Sequence, residues 1–258
     1  MARIIGIVNQ KGGVGKSTTA VNLGAFLASE GHATLLVDLD PQANATSGLG
    51  VSRERLGVST YDLILRDAAA GDAIVATAVP GLSLIPSTID LAGAEVELAQ
   101  LSDREYRLRR ALRDIQFPMV LIDCPPSLGL LTINALVAST ETLIPIQCEY
   151  YALEGLMQLL QSIELVRRYL NPALEVSGVL LTMYDSRTNL SDQVEDEVRR
   201  HFGNRVYRTV IPRSVRLAEA PSHGKPISLY DPGSRGAAAY RELAREVIER
   251  GQQRATFA

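Results

Sequence analysis

The chain is poor in cysteine and contains no long apolar run. Its 258 residues include two cysteines, Cys124 and Cys148, too few for a disulfide framework or a four-ligand metal site within one chain. We interpret them as small apolar residues near strand ends, in a reducing, cytoplasmic setting. A membrane-spanning helix needs roughly 20 apolar residues, and the apolar stretch at residues 3–8 is also too short for a signal peptide. We therefore expect a soluble protein with no membrane partner.

Lysine is scarce as well. Of 26 Lys and Arg residues, only Lys11, Lys16 and Lys225 are lysine, and two of these lie close together in one glycine-rich segment. A compact ammonium group suits a crowded phosphate site better than the planar guanidinium of arginine does. The choice of lysine at these two positions therefore indicates phosphate chemistry.

The formal net charge of −3 provides no global cationic field for nucleic acid. The segment Arg199–Lys225 nevertheless carries seven Lys or Arg against the single acid Glu219, a local charge of +6. Two interpretations remain open: arginines paired with nearby acids, or a face that neutralises DNA phosphates. Aromatic residues make up only 5% of the chain, which favours contacts with the DNA backbone over base stacking.

Apolar runs alternate with helical patterns along the chain, which predicts an α/β fold. Strands without polar alternation are buried on both faces, as in a mostly parallel twisted sheet with helices on both faces. The predicted strands are Arg3–Val8, Ala33–Val37, Leu82–Ile85, Met119–Ile122, Glu141–Ile146, Val176–Thr182 and Arg205–Ile211. The predicted helices are Lys16–Glu30, Leu91–Gln100, Arg104–Asp114, Tyr151–Leu170, Leu190–Phe202 and Gly233–Arg250. We expect loops and short helices in Asn44–Ala78, and a single domain over residues 1–258 whose last eight or so residues form a flexible tail.

The segment Asn9–Thr19 lies between the first strand and the first helix and predicts a phosphate loop. Its glycines let backbone N–H groups turn inward, and the helix N-terminus adds a partial positive charge. Lys16 would reach the β- and γ-phosphates, and the Ser17 hydroxyl would be a ligand of Mg²⁺. The cofactors expected from this loop are ATP and Mg²⁺. Its predicted nucleotide contacts are Lys11, Gly12, Gly13, Val14, Gly15, Lys16, Ser17 and Thr18.

Acidic residues follow two of the predicted strands. Asp38 and Asp40 follow the second strand, and Asp123 follows the strand Met119–Ile122. In an open parallel sheet, ligands bind at the carboxyl ends of the strands. We therefore predict that Asp123 holds Mg²⁺ directly or through water, that Asp38 orients the water shell of the metal, and that Asp40 positions the attacking water.

The phosphate loop departs from the general Walker A pattern, because Gln10 stands where that pattern requires glycine. The sequence K-G-G-V-G-K-S resembles the deviant Walker motif shared by ParA, MinD, nitrogenase iron protein and arsenical-pump ATPases. This resemblance implies that Lys11 reaches across a dimer interface to the nucleotide of the partner. Lys11 would then be catalytic together with Lys16 and Asp40.

Further segments resemble the ParA/Soj family of DNA-partitioning proteins, from Ile4 to about Val247. They are Asp38–Gly50 (DLDPQANATSGLG), Leu91–Leu98 (LAGAEVEL), Asp123–Leu136 (DCPPSLGLLTINAL), Cys148–Leu156 (CEYYALEGL), Arg187–Leu190 (RTNL) and Ile211–Ile227 (IPRSVRLAEAPSHGKPI). The chain is similar to the short chromosomal type, which lacks an N-terminal DNA-reading domain.

The family resemblance implies a cycle and further site residues. ATP closes a sandwich homodimer that binds double-stranded DNA without sequence preference, and a centromere-binding ParB-type partner stimulates hydrolysis and release, which implies association with the nucleoid. By position, Pro212 and Arg213 resemble the segment that cradles adenine, and Glu149 resembles a residue near the ribose at the dimer interface. Arg187 and Arg216 resemble arginines implicated in DNA binding, to which the basic segment adds Arg213 and Lys225. Ser17 replaces the commoner threonine and keeps the hydroxyl.

Other functions are compatible with parts of the sequence. A MinD-like ATPase that cycles on membranes shares the loop but needs a basic amphipathic C-terminal helix, which the tail lacks. A nitrogenase-type electron carrier needs two cysteines that converge on the dimer axis, and Cys124 lies beside Asp123 instead. A small-molecule kinase needs a base, a substrate pocket and a lid that we cannot assign. A purely structural module would leave Lys16, Ser17, Asp40 and Asp123 without a role.

Overall fold

The computed structural model describes residues 2–52, 56–149 and 152–257. Its strands are β1 Arg3–Ile7, β2 Thr34–Asp38, β3 Val75–Ala76, β4 Leu82–Ile85, β5 Met119–Asp123, β6 Glu141–Gln147, β7 Glu175–Tyr184 and β8 Val206–Pro212. Its helices are α1 Lys16–Ser29, α2 Asn44–Gly48, α3 Thr60–Leu65, α4 Ala70–Ala73, α5 Leu91–Leu98, α6 Arg107–Ala111, α7 Leu130–Ala138, α8 Ala152–Tyr169, α9 Asn189–Phe202, α10 Val215–Glu219, α11 Ile227–Tyr230 and α12 Arg235–Phe257. Short 3₁₀ turns occupy Gly203–Arg205 and Ala220–His223. Tyr151, the first residue of a predicted helix, lies outside the described residues.

The strands form one eight-stranded sheet in the order β3-β4-β2-β5-β1-β6-β7-β8. Neighbouring strands are parallel, except that the two-residue edge strand β3 is antiparallel to β4. This arrangement confirms the predicted mostly parallel α/β fold. The region Asn44–Ala78 contains the expected short helices α2, α3 and α4, and also the strand β3, which the sequence did not predict.

Two hydrophobic cores lie on opposite faces of the sheet, because successive side chains of a strand point to opposite sides. Leu35 and Val37 of β2 belong to the first core with residues of α3, α5 to α9, whereas Leu36 belongs to the second core with residues of α1 and α12. Full burial of each such leucine or valine contributes about 1.5–3 kcal/mol. Helices therefore cover both faces, as predicted. Within the part of the chain that the structure describes, no helix is both long and apolar enough to span a bilayer.

Several helices differ from the prediction, and α10 and α11 were not predicted. The segment Leu130–Ala138 forms α7, which we did not predict. The last helix continues past Arg250 to Phe257, into the segment expected to be a tail. It is fixed there by Arg254, whose guanidinium donates a 2.7 Å hydrogen bond to Glu141. Gly251 leaves room for Arg3, since a Cβ at this position would lie 2.1 Å from the Arg3 guanidinium. Gly251 therefore permits a close contact between α12 and Arg3, and the helix continues past this glycine.

The centre of the sheet brings the predicted site residues to one edge. Strands β2, β5 and β1 are neighbours, with Asp38 opposite Asp123 and Asp123 opposite Ile7. The phosphate loop leaves the end of β1 beside the carboxyl end of β5. The three chain segments that carry the predicted chemistry thus converge at the carboxyl edge, where open parallel sheets bind ligands.

Candidate active site

The phosphate loop is held in a defined shape by contacts at both ends. Asn9 donates 2.7 Å to the carbonyl of Pro145 and accepts 2.9 Å from the N–H of Lys11. The hydroxyl of Thr182, at the end of β7, donates 2.9 Å to the carbonyl of Val14. Gly13 and Gly15 have φ of 78° and 89°, a left-handed conformation that costs other residues about 1–2 kcal/mol. The loop is therefore preformed around an open centre.

The N-terminus of α1 faces this centre. Gly15 precedes the helix without a side-chain cap, and the first turn contains no acidic residue. The N–H groups of that turn and the helix dipole are therefore available to an anion. Lys16 is 6% exposed, and its Nζ donates 3.0 Å to the carbonyl of Lys11. Burial lowers the pKa of Lys16 below its usual value, although the nearby carboxylates of Asp123 and Asp40 partly oppose this shift.

Asp123 has a carboxylate that the protein leaves unsatisfied. It is fully buried, and neither oxygen has a hydrogen-bond partner. Burial and the neighbouring Asp38 raise its pKa well above the usual value, and the Ser17 hydroxyl lies near enough to lower it without meeting hydrogen-bond geometry. A buried carboxylate without a partner is costly. A cation between Asp123 and Ser17 would remove this cost, so these oxygen ligands fit Mg²⁺.

Asp38 has the same burial as Asp123 but different surroundings. Its Oδ2 accepts hydrogen bonds from the backbone N–H and the hydroxyl of Thr46, at 2.8 and 2.7 Å, and its Oδ1 accepts one from the N–H of Asp40 at 3.2 Å. Burial raises its pKa to about 6, although the hydrogen bonds from Thr46 oppose that shift. Both oxygens of Asp38 thus already have hydrogen-bond partners, and its role in orienting the water shell of a metal stays a prediction.

Asp40 lies beside an open cavity. The cavity has a volume of about 440 Å³, and Asp40, 5% exposed, is in its wall. The Oδ1 of Asp40 accepts a 2.9 Å hydrogen bond from the N–H of Gln42. The wall consists of Gly12, Gly13, Gly15, Lys16, Ser17, Thr18, Val21, Asn22, Asp40, Gln42, Asn44, Ser47, Gly48, Pro126, Met183, Ala220, Pro221 and Lys225. The structure thus brings most of the predicted phosphate loop and Asp40 together around one space.

A second cavity of about 330 Å³ adjoins the first, since Gly15, Thr18 and Met183 line both. Pro212 and Arg213, which we predicted to cradle adenine, lie in its wall. Its further lining is Thr182, Ile211, Ser214, Val215, Leu217, Ala218 and Tyr240. A mostly apolar pocket beside an anion site suits a base attached to phosphates. The adenine role of Pro212 and Arg213 stays a prediction.

Comparison with known proteins identifies the family. A family model described as "AAA domain" matches residues 2–176. The chain is 59% identical over 253 residues to sporulation initiation inhibitor protein Soj of Bacillus subtilis, covering 97% of this chain and 100% of that protein. It is 54% identical over 256 residues to the chromosome partitioning protein ParA of Caulobacter vibrioides, covering 98% and 96%. The chain belongs to the ParA/Soj family of partitioning ATPases.

Membership of the ParA/Soj family confirms the resemblance, and a solved structure agrees with the fold. Cobyrinic acid a,c-diamide synthase of Mycobacterium smegmatis, with bound ADP and magnesium, matches with a TM-score of 0.86 at 40% identity, covering 98% of this chain and 96% of that one. This ParA/Soj chain is thus a P-loop ATPase whose cofactors are ATP and Mg²⁺. The role of each site residue stays a prediction.

Lys11 does not face the cavity in this ParA/Soj ATPase. Its side chain is 57% exposed, and its Nζ forms a 2.5 Å ion pair with Glu149, which follows β6. The resemblance implied that Lys11 contacts the nucleotide of a partner and that Glu149 lies near a ribose at the dimer interface. The structure places these two residues together, at the surface of one chain. Such an exposed pair contributes little to stability, about 0–1 kcal/mol.

The predicted DNA-binding residues are exposed, but some of them are already paired with carboxylates. Arg187 donates two hydrogen bonds to Asp185, at 2.8 and 2.6 Å, and together with the nearby Arg213 it lowers the pKa of that carboxyl. Arg216 pairs with Glu219 at 3.1 Å and with Asp231 at 3.5 Å. Lys225 lies in the wall of the larger cavity.

Acids outside the segment Arg199–Lys225 offset part of its charge of +6. Arg199 pairs with Glu195 of α9 at 2.7 Å, and Arg208 pairs with Glu249 of α12 at 2.7 Å. The interpretation as paired arginines therefore holds for these two residues. Pairing alone does not exclude DNA contact, since Arg187 and Arg216 are paired as well. The DNA-binding roles of Arg187, Arg213, Arg216 and Lys225 stay predictions.

Several residues of the site were missed from sequence. Thr182 holds the phosphate loop, and Met183 separates the two cavities with φ of 52°. A non-glycine residue in this conformation is strained, and such strain concentrates at functional sites. Both residues lie near the carboxyl end of β7. The rule that ligands bind at the carboxyl ends of parallel strands would have selected them.

We expect Gly13→Ala to lower the free energy of unfolding of the nucleotide-free protein by about 1–2 kcal/mol, because alanine is strained at φ 78°. Gly12 is the matched control, since it is outside the left-handed region and a Cβ there meets nothing within 4 Å. Gly12→Ala should be neutral or slightly stabilising. Urea denaturation of both variants checks this. Equal free energies of unfolding would show that the left-handed backbone at Gly13 is not required.

Proposed function

We propose that this ParA/Soj ATPase partitions DNA through a nucleotide-switched dimer. ATP joins two copies of the chain, the dimer binds double-stranded DNA without sequence preference, and a ParB-type partner stimulates the hydrolysis that releases the DNA. The partitioning names of the relatives at 59% and 54% identity support this role.

The observation that carries the dimer is the position of Lys11. It belongs to the phosphate loop in sequence, yet its ammonium points away from the cavity toward Glu149 at the surface. A lysine of the phosphate loop whose side chain lies outside its own cavity supports a contact with phosphate groups held by another molecule. Once Lys11 moves to the partner's phosphates, the carboxylate of Glu149 is released and can accept hydrogen bonds from a ribose hydroxyl.

Different groups of one chain have different roles in ATP hydrolysis. Ser17 and Asp123 would hold Mg²⁺, which supplies positive charge against the phosphates. The N–H groups of the phosphate loop and Lys16 bind and neutralise phosphate oxygens, since phosphoryl transfer depends mainly on positioning and on charge stabilisation. Asp40, in the wall of the same cavity, orients the attacking water.

In this proposal, surface arginines bind DNA by exchanging their carboxylate partners for DNA phosphates. The guanidinium groups of Arg187 and Arg216 are exposed and already bind carboxylates, so each can exchange its carboxylate for a DNA phosphate. One chain spans few phosphates, and joining two chains doubles the number of contacts. Because affinity depends exponentially on that number and falls steeply with salt, dimerisation can switch DNA binding on.

We expect Arg216→Ala to weaken DNA binding and to reduce the slope of log affinity against log salt by about 1 per chain, or about 2 per dimer. Arg167→Ala is the matched control. Both arginines are about equally exposed, at 57% and 51%, and both pair with a glutamate three residues away. Fluorescence anisotropy of a labelled duplex with ATP, over a range of salt concentrations, measures both slopes. Equal slopes for the two variants would contradict a DNA contact at Arg216.

The function itself is tested by Lys11→Ala in the presence of Mg·ATP. The variant should still bind ATP, because Lys11 lies outside the cavity wall, but it should lose dimerisation and DNA binding together. A Lys11→Ala protein that binds DNA with parental affinity would overturn the proposed switch.

The MinD-like alternative requires a C-terminal helix that is free to bind a membrane. Helix α12 instead packs against α1 and β8 and buries Ala237, Tyr240, Leu243, Ala244 and Val247 in the second core. Its apolar face is therefore already used within the fold. This packing favours the DNA-partitioning function.

A further inference from the structure

Asp40 belongs to a closed ring of hydrogen bonds that includes two residues with no assigned role, Thr46 and Ser87. The N–H of Asp40 donates to Asp38 Oδ1 at 3.2 Å, and the hydroxyl of Thr46 donates to Asp38 Oδ2 at 2.7 Å. The N–H of Ser87 donates to the Thr46 hydroxyl at 3.0 Å, and the Ser87 hydroxyl donates to the carbonyl of Asp40 at 2.6 Å. Four residues from two strand ends and one helix are thereby joined.

The ring is shielded from water. Asp38, Thr46 and Ser87 are fully buried, and Asp40 is 5% exposed. In such surroundings a hydrogen bond is stronger than in water, and a group that loses its partner is costly. Each member of the ring is therefore held in place by the others.

The chain between Asp40 and Thr46 requires this support. Ala43 is fully buried with φ of 51°, a left-handed conformation that alanine rarely adopts. Its N–H donates 2.8 Å to the carbonyl of Asp40, the same oxygen that accepts from Ser87. Strained conformations persist only where the surrounding structure fixes them. The ring supplies that constraint at both ends of the turn.

Thr46 and Ser87 act on the cavity through the residues that they hold, chiefly Asp40. Neither lines the cavity that contains Asp40 and the phosphate loop. The ring holds the backbone N–H and carbonyl of Asp40, and leaves its carboxylate at the cavity wall. It also occupies both oxygens of Asp38, so Asp38 holds the loop, whereas Asp123 keeps its oxygens for a cation.

We infer that Thr46 and Ser87 are positioning residues for ATP hydrolysis, because their hydroxyl groups fix the main chain of Asp40 relative to the ends of β2 and β4. This inference rests on the proposed role of Asp40 in orienting water. A small displacement of a positioned group, about 1 Å, can lower a rate about 100-fold. Because the proposed phosphate contacts come mainly from the phosphate loop, we expect nucleotide binding to change little.

The main test compares Thr46→Val with Thr46→Ser. Valine has the shape of threonine without the hydroxyl, so it breaks the ring, whereas serine retains the hydroxyl. We expect Thr46→Val to lower kcat about 10- to 100-fold with KM for Mg·ATP within about twofold, and Thr46→Ser to restore kcat to within about threefold of the parent. Thr34→Val is the matched control, since Thr34 is a fully buried threonine at the opposite end of β2 whose hydroxyl donates 2.7 Å to His32. It should keep the parental kcat.

Ser87→Ala provides a second test, since it removes the 2.6 Å bond to the carbonyl of Asp40 and otherwise only a long 3.5 Å bond to the carbonyl of Thr88. We expect kcat to fall about 10-fold or more, again with little change in KM. Ser177→Ala is its control, since Ser177 is also buried and donates 2.9 Å to the carbonyl of Thr142. If Thr46→Val fails to fold, this pair decides the question.

The outcomes separate the inference from the role of Asp40. If Asp40→Ala loses hydrolysis while Thr46→Val or Ser87→Ala keeps the parental kcat, the ring does not position Asp40 and the inference is wrong. A Thr46→Ser protein as slow as Thr46→Val would also overturn it, because the hydroxyl would then not be the group that matters. If Asp40→Ala itself hydrolyses ATP at the parental rate, the assignment of Asp40 fails first.

Discussion

Replacing Lys16 with alanine is expected to weaken Mg·ATP binding by at least about 100-fold. A buried ammonium that contacts two phosphates makes charge-assisted hydrogen bonds of about 1.5–3 kcal/mol each, and about 1.4 kcal/mol corresponds to a factor of ten in affinity. Asp40 and Asp123 lie near Lys16. Without the ammonium, their negative charge would oppose a triphosphate more strongly, so the loss is expected to be large.

Isothermal titration calorimetry with Mg·ATP measures this effect. Lys11→Ala is the matched control from the same loop, because the ammonium of Lys11 is paired with Glu149 and lies outside the cavity. The control should bind ATP with an affinity within a few-fold of the parent. Parental affinity in Lys16→Ala would mean that the cavity beside α1 is not the triphosphate site.

Asp40→Ala is expected to lower the rate of ATP hydrolysis about 100-fold or more, the usual effect of removing a group that orients or deprotonates the attacking water. The Ser17 and Lys16 side chains and the helix N-terminus remain, so ATP binding should persist. The variant should then accumulate as an ATP-bound protein that stays on DNA. Single-turnover phosphate release and retention on a DNA column measure the two effects.

Asp40→Asn controls for the shape of the side chain. Its amide oxygen can still accept the hydrogen bond from the N–H of Gln42, but it lacks the negative charge. It should therefore resemble Asp40→Ala in hydrolysis and the parent in stability. Parental hydrolysis by Asp40→Ala would remove Asp40 from the mechanism.

The phosphate loop and the central strands could be predicted from sequence because their signals are local. Apolar runs that end at Asp38 and Asp123, and the glycines between Asn9 and Thr19, specify the strand ends and the loop without knowledge of distant residues. The parallel sheet then places these ends at one edge by a general rule. This reasoning located the part of the cavity wall that the phosphate loop and Asp40 form, and it would also have found Thr182 if applied to β7.

Contacts between distant segments could not be predicted in this way. Lys11 and Glu149 are 138 residues apart, and Ser87 is 47 residues from Asp40. The difference between Asp38 and Asp123 likewise depends on Thr46, which satisfies only the first of two similar carboxylates. Sequence spacing alone does not distinguish the environments of these two carboxylates.

Helix α7 was missed for a different reason. Its sequence LLTINALVA is apolar almost throughout and contains three β-branched residues, Thr132, Ile133 and Val137. A short apolar run of this kind is compatible with a buried strand or a buried helix, and periodicity cannot separate the two. Packing between the sheet and neighbouring helices decides its conformation.

The central claim is that the loop around residues 11–17 holds a triphosphate between two copies of the chain. Multi-angle light scattering of the Asp40→Ala protein, once with Mg·ATP and once with Mg·ADP, tests this most directly, because slow hydrolysis preserves the ATP state. We predict a mass near twice 27.9 kDa with ATP and a mass near 27.9 kDa with ADP. The same mass with both nucleotides would contradict the claim.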